Sequence, residues 1–305
     1  MAGQKLIASG LLFPEGPIAM PDGSIILVEI KRGTLTRVTA AGQVEVIAHL
    51  GGGPNGAAIG PDGACYVCND GGFEFHEVEG LLIPGDAPAD YSGGRIERVD
   101  LKTGKASVLY RECNGNPLNG PNDLVFDRSG NFWFTDLGKG RGRTQDRGGL
   151  YYAKPDGSSI KEVVFPITSP NGVGLSPDEK TVYVADTIPG RLWAFDIVAP
   201  GEVAPSAGPL PGRFVGSPAG LNFFDSLAVD SEGNVCVATI FNAGITSFSP
   251  DGSKIVHTPT DDLITTNICF GGKDLKTAYI TLSTTGRLVA MDWPVAGLPL
   301  NFLNK

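Results

Sequence analysis

One polar slot recurs six times along this chain, each time just before an apolar stretch that ends in a turn. The slot holds Glu15 in FPEG, Asn55 in GPNG, Asn122 in GPND, Asn171 in SPNG, Asp225 in FFDS and Asn267 in TTN. After each turn come two β-rich runs joined by a polar loop: SIILVEI and GTLTRVT, ACYVCND and GGRIERVD, NFWFTDL and GGLYYAK, TVYVADT and GRLWAFDI, NVCVATI and GITSFSP, TAYITLS and GRLVAMD. Apolar and polar residues alternate with period two, as half-buried strands require. A fourth strand follows in places, as in KASVLYR (105–111) and KEVVFP (161–166). Four antiparallel strands repeated six times predict an all-β fold, a six-bladed β-propeller around a central channel.

Cyclic symmetry would bring the six slot residues to one mouth of that channel. Two carboxylates and four amides then converge, an oxygen cage suited to a hard cation. Asn and Asp before strands also satisfy turn backbone, but Glu is a poor turn residue, and Glu15 keeps the same register. Zinc built on His and Cys is disfavoured, because His49, His76 and His257 all lie outside the slot.

The turn aspartates Asp22, Asp62, Asp127, Asp178 and Asp230 are spaced at about one blade each. The exception is the interval from Asp62 to Asp127, which is lengthened by an insertion over 69–94. That insertion reads as a lid over one face or as a surface loop, and it carries His76, which can overhang the site. Residues 4–9 are expected to pair beside 286–292 and close the ring, removing two sheet edges. No linker divides the chain, so 1–305 reads as one domain.

Composition narrows the partners. The formal net charge is −9, which argues against nucleic acid. No stretch reaches the roughly 20 apolar residues of a membrane span. The N-terminus lacks a signal-peptide pattern, so a cytoplasmic location is expected. No protein partner is implied. The five cysteines are odd in number and scattered. Cys65 and Cys68 sit three apart on a predicted strand and point to opposite faces, so they read as core residues.

FPEGP, SPNGVGLSPDEKTVYVADT, FDSLAVDSEGNVCVA and TTNICFGGKDLKTAYIT resemble the SMP-30/gluconolactonase/luciferin-regenerating-enzyme (regucalcin-like) family, over about residues 11 to 292. The resemblance implies a six-bladed propeller with one catalytic divalent metal that hydrolyses a sugar-acid-type, gluconolactone-like lactone. It implies Glu15, Asn171 and Asp225 as metal ligands, Asp225 also as general base, and Asn122 as a contact to substrate or metal-bound water. Asn55 and Asn267 are left as channel lining and substrate contacts. All-oxygen donors favour Ca²⁺, with Mg²⁺, Mn²⁺, Zn²⁺ and Fe²⁺ open.

One departure concerns substrate. Family members often carry an Arg two residues before the Asn of the N-D motif, where this chain has Gly120. The loop LGKGRGRTQDRGG (137–149) supplies Lys139, Arg141, Arg143 and Arg147. Either it is a solvated loop, or Arg141 or Arg143 replaces the missing contact. An esterase or phosphotriesterase on the same site, and a metal-binding propeller without activity, are the competing readings.

Overall fold

The computed structural model describes residues 3–206 and 208–305, and all its regular elements are β-strands. Six four-stranded antiparallel sheets follow one another around an axis. Their innermost strands are Pro14–Ala19, Pro54–Ile59, Pro121–Phe126, Pro170–Leu175, Phe223–Val229 and Thr265–Gly271, which define blades 1 to 6. The expected fourth strands are present, among them Ala106–Tyr110 and Ile160–Ile167. Blade 4 carries one short extra strand, Glu202–Val203, paired with the end of Arg191–Ala199. No helix of the described residues is long and apolar enough to cross a membrane.

Period-two alternation explains how the blades stack. Each blade is apolar on both faces, and each face meets one neighbour. Cys65 and Val67 pack with Ile26, Val28 and Ile59 between blades 1 and 2. Tyr66 and Cys68, on the opposite face of the same strand, pack with Phe126, Phe132 and Phe134 of blade 3. Four further clusters fill the remaining interfaces. Each fully buried Phe, Leu or Ile in these clusters contributes roughly 2 kcal/mol. All five cysteines are free and buried.

The ring closes as the pattern predicts. Lys5–Ser9 forms the outer strand of blade 6 and pairs antiparallel with Arg287–Asp292. First and last segments of the chain therefore share one sheet, in which Lys5–Ser9 covers the edge of Arg287–Asp292 and is itself the outer strand.

The two ends of the channel differ. At one mouth stand the six slot residues and two long inter-strand loops, 70–94 and 137–147. Toward the other mouth the channel is apolar, lined by Ile18, Leu124, Val173 and Leu227 and flanked by Leu298 and Leu303, with a cavity of about 120 Å³. Asn301 fastens that C-terminal turn, its Nδ2 donating to Phe126 O at 3.1 Å and to Glu179 Oε1 at 2.9 Å.

Candidate metal centre

Why the slot residues face the mouth follows from a local irregularity. In every blade the ladder between the innermost strand and its neighbour slips by one residue at the slot. In blade 3, Pro121 pairs with Asp136, but the next pair is Leu124 with Phe134. Equivalent slips occur after Glu15, Pro54, Pro170, Phe224 and Thr265. Each is a one-residue β-bulge, which bends the strand and re-aims its side chains. Backbone groups freed by a bulge find partners on the next strand or blade. The Asp123 N–H donates to Thr135 Oγ1 at 3.2 Å, and the Thr135 hydroxyl donates to Asn171 O. Ser283 donates to Pro14 O at 2.6 Å.

A second polar position, one strand out, fixes the segment that leads into the slot in blades 1 to 4. Glu29 Oε2 accepts from Leu12 N at 2.7 Å, and Asn69 Oδ1 accepts from Gly53 N at 3.0 Å. Asp136 accepts from Asn119 N at 2.8 Å and Gly120 N at 2.7 Å, and Asp186 from Ser169 N at 2.8 Å. Blade 6 uses Asp262, which accepts from Ile264 N at 2.8 Å. Glu29, Asn69, Asp136 and Asp186 end the second strands of their blades, in SIILVEI, CYVCND, NFWFTDL and TVYVADT, whereas Asp262 belongs to the entry segment itself. The recurrence is visible in the sequence, once the strand ends rather than the strand interiors are compared.

The slots themselves are crowded. An added Cβ on Gly16, just after Glu15, would lie 2.6 Å from Asn55 O, so the two innermost strands meet backbone to backbone. Gly56 is hemmed in the same way by Asn122 O and Asp123. Blade 3 has Asp123 at this position instead, a third buried carboxylate that the slot comparison does not reveal.

All six slot residues are buried, yet four of them keep an oxygen without a hydrogen-bond partner: Glu15 Oε1, Asn55 Oδ1, Asn122 Oδ1 and Asn171 Oδ1. Such atoms are rare in native proteins, because each forfeits its hydration without return. Asn267 differs. Its Nδ2 donates to Glu15 Oε2 and its Oδ1 accepts from Ile268 N, both at 2.7 Å, so it holds Glu15 in place.

Electrostatics make the same point. Burial pushes the Glu15 carboxyl up to about 7, against hydrogen bonds from Asn267 and Gly16 that lower it. Burial and then the Glu15 charge hold Asp225 well above the usual carboxylate range. The same two causes raise Asp123. Clustered buried acids of this kind resist ionising together unless a cation joins them. Unpartnered amide and carboxylate oxygens beside clustered acids therefore fit a divalent cation, and an all-oxygen donor set suits Ca²⁺ chemistry. Among the described residues no group of three or more His, Cys, Asp and Glu side chains is placed to hold a metal ion.

The two long loops meet over this mouth. Phe75 of the insertion packs 5.3 Å from Phe13, and Phe73, Phe75 and Leu82 join a cluster with Ile30, Ile240 and Ile264. The insertion thus touches blades 1, 5 and 6. It also meets the second loop, where Ala87 N donates to Gly140 O at 2.9 Å. His76 is exposed on the strand Phe75–Val78. Arg141 pairs with Asp146 at 2.6 Å and lies 5.4 Å from the Tyr91 ring, while Arg143 is exposed in the turn of the hairpin. The basic side chain that is linked to a slot residue, through Asp70, is Lys139. Its Nζ is 2.9 Å from Asp70 Oδ1, and Asp70 Oδ2 accepts from Asn55 Nδ2 at 3.3 Å. Gly120 has no room for a side chain: Leu137 N donates to Gly120 O at 2.8 Å, and an added Cβ would collide with Gly138 O. The hairpin occupies the space where an arginine at position 120 would start.

The fold and the site together define a six-bladed propeller with buried, uncommitted oxygens at one channel mouth. The sequence profile of the SMP-30/Gluconolactonase/LRE-like region matches residues 13–284, and the chain belongs to that family. It is 31% identical to the lactonase drp35 of Staphylococcus saprophyticus over 256 residues, covering 83% of this chain and 69% of the relative. It is 27% identical to the gluconolactonase of Zymomonas mobilis over 314 residues, covering 92% and 78%. The calcium-binding protein regucalcin from Agrobacterium tumefaciens shares the fold, with a TM-score of 0.77 over 100% of this chain and 97% of that one, at 21% identity.

Proposed function

We propose that the chain is a divalent-metal-dependent hydrolase that opens a lactone ring, with Ca²⁺ as the favoured ion. The observation that carries the metal reading is the set of four buried, unpartnered oxygens on Glu15, Asn55, Asn122 and Asn171. Relatives named lactonase and gluconolactonase support the reaction class. In this reading Glu15, Asn171 and Asp225 hold the ion. When bound, the ion supplies a Lewis acid for the lactone carbonyl oxygen.

The protein's own groups do the rest. Asn267 holds Glu15 through its 2.7 Å hydrogen bond, so the Glu15 carboxylate meets its partner preorganised. The free oxygen of Asn122 accepts from a hydroxyl or water beside the reacting carbon. Asp225, which the bound ion would keep ionised, takes the proton as water attacks. Phe73, Phe75 and Leu82 act as a lid that keeps bulk water from the mouth. The exposed guanidinium of Arg143, with Arg141, is available to an anionic group of the substrate, a role tested by Arg141→Ala and Arg143→Ala on kcat/KM. Lack of space at position 120 points to lactones that do not depend on a contact from that position.

The test is a panel of sugar, alkyl and aryl lactones, with a phosphotriester as control, assayed on chelator-stripped protein reloaded with each of Ca²⁺, Mg²⁺, Mn²⁺, Zn²⁺ and Fe²⁺. The expected result is no lactone turnover when stripped and recovery on reloading. Turnover of the phosphotriester alone would replace the lactonase reading.

A further inference from the structure

We propose that Lys139 is a positioning residue of the metal centre: through Asp70 it fixes the Asn55 amide with its carbonyl oxygen toward the ring, making Asn55 a further oxygen donor to the cation. The proposal rests on the metal-dependent reading above.

A carboxylate only accepts, and an ammonium only donates. Asp70 Oδ1 accepts from Lys139 Nζ at 2.9 Å and from Gly72 N at 2.7 Å. Asp70 Oδ2 accepts from Asn55 Nδ2 at 3.3 Å. Asn55 must therefore turn its NH₂ toward Asp70 and its oxygen away. That oxygen is buried and has no partner. Asn267 shows the alternative, with its oxygen spent on Ile268 N.

Lys139 is built for this place. Its side chain is 1% exposed and that of Asp70 is 2% exposed. The Lys139 ammonium lies 3.2 Å from the centre of the Phe73 ring, so the lid residue seals the pair from water. The backbone just before it is pinned where Leu137 N donates to Gly120 O and Gly138 N donates to Asp136 Oδ1 at 2.9 Å. Asp70 comes from the insertion and Lys139 from the hairpin, so the pair also ties both long loops to one slot residue. A surface ion pair needs no such enclosure, and a buried one is weak evidence of stability by itself. Here the pair has a directed hydrogen bond onto a ring amide.

The test is a double-mutant cycle on calcium affinity, read by calorimetric titration of chelator-stripped protein with CaCl₂. Its arms are wild type, Asn55→Ala, the neutral pair Asp70→Asn with Lys139→Met, and all three changes together. The neutral pair removes one charge of each sign, so the net charge around the cation is unchanged. Asn55→Ala and the neutral pair are each expected to weaken Ca²⁺ binding about tenfold. The combined variant is expected to stay within about threefold of Asn55→Ala, because both act through one amide. A purely structural role for the pair would persist in the Asn55→Ala background and give about a hundredfold loss. That outcome, or a neutral pair with wild-type affinity, overturns the proposal. Should the neutral pair fail to fold, the equally charge-balanced pair Asp70→Asn with Lys139→Gln is read in the same cycle. Wild-type protein that takes up neither Ca²⁺ nor, in the same titration, Mg²⁺, Mn²⁺, Zn²⁺ or Fe²⁺ overturns the metal reading itself, and this inference with it.

Discussion

At the residue scale, one repeated slot holds six side chains with at least two kinds of work. Glu15, Asn122 and Asn171 keep free oxygens, whereas Asn267 has both ends engaged and steadies Glu15. A cluster of buried acids is a liability without its cation. Asp225→Asn is therefore expected to raise the melting temperature of stripped protein at pH 8 while lowering kcat at least about 10³-fold, the stability–function exchange of a strained site. Thermal scans and lactone kinetics on one preparation check both halves. The raised Glu15 carboxyl adds a pH signature. Its folded value of about 7 stands above the ordinary 4.5, so the unfolded chain loses that proton first. Between those values the folded protein binds more protons, and its stability falls as pH rises, levelling above about 7. The Tm advantage of stripped Glu15→Gln over stripped wild type should thus grow from pH 5 to pH 8, and added Ca²⁺ should reverse it. An advantage that shrinks over that range contradicts the assignment. The ring was legible because its members recur at one repeat position. Asn267's bond to Glu15 was not, since the partners lie 252 residues apart and meet only when the propeller closes. Lys139 read as one charge among four in a basic loop, because nothing in its spacing reveals that it is buried against Asp70.

At the element scale, two devices place the slot: the bulge in each innermost strand and the polar residue ending the next strand. Asp136 takes three backbone N–H groups, those of Asn119, Gly120 and Gly138. Asp136→Ala leaves them unpaired and is expected to cost about 3 kcal/mol in urea unfolding. A loss below about 1 kcal/mol would mean that the entry segment is held by other contacts. Gly120→Arg, which restores the residue expected from the family resemblance, should destabilise by about 1–3 kcal/mol through overpacking against Gly138, without gain on a sugar lactone. The strands were readable from alternation, but the bulges were not. A one-residue slip within six or seven residues barely alters a period-two pattern.

At the scale of the whole molecule, six wedges share six apolar interfaces, and the first segment closes the last blade. Deleting residues 1–9 strips Arg287–Asp292 of its outer partner. Lower Tm and concentration-dependent association are expected, because a sheet edge is exposed. Calorimetry and sedimentation would detect them, and an unchanged monomer with wild-type Tm would show that the closing strand is dispensable. The count of blades, the closure and the mouth chosen by the slots all followed from the repeat. The way the insertion and hairpin interlock depended on contacts between blades 1, 2, 3, 5 and 6, which only the assembled ring supplies.

The most direct measurement of the central claim follows hydrolysis of the best lactone while Ca²⁺ is titrated into stripped protein, with bound ion counted calorimetrically. The account predicts one ion per chain, turnover rising in step with its occupancy, and loss of both in Glu15→Gln. Full turnover by the stripped protein, or an ion that binds equally well to Glu15→Gln, would contradict it.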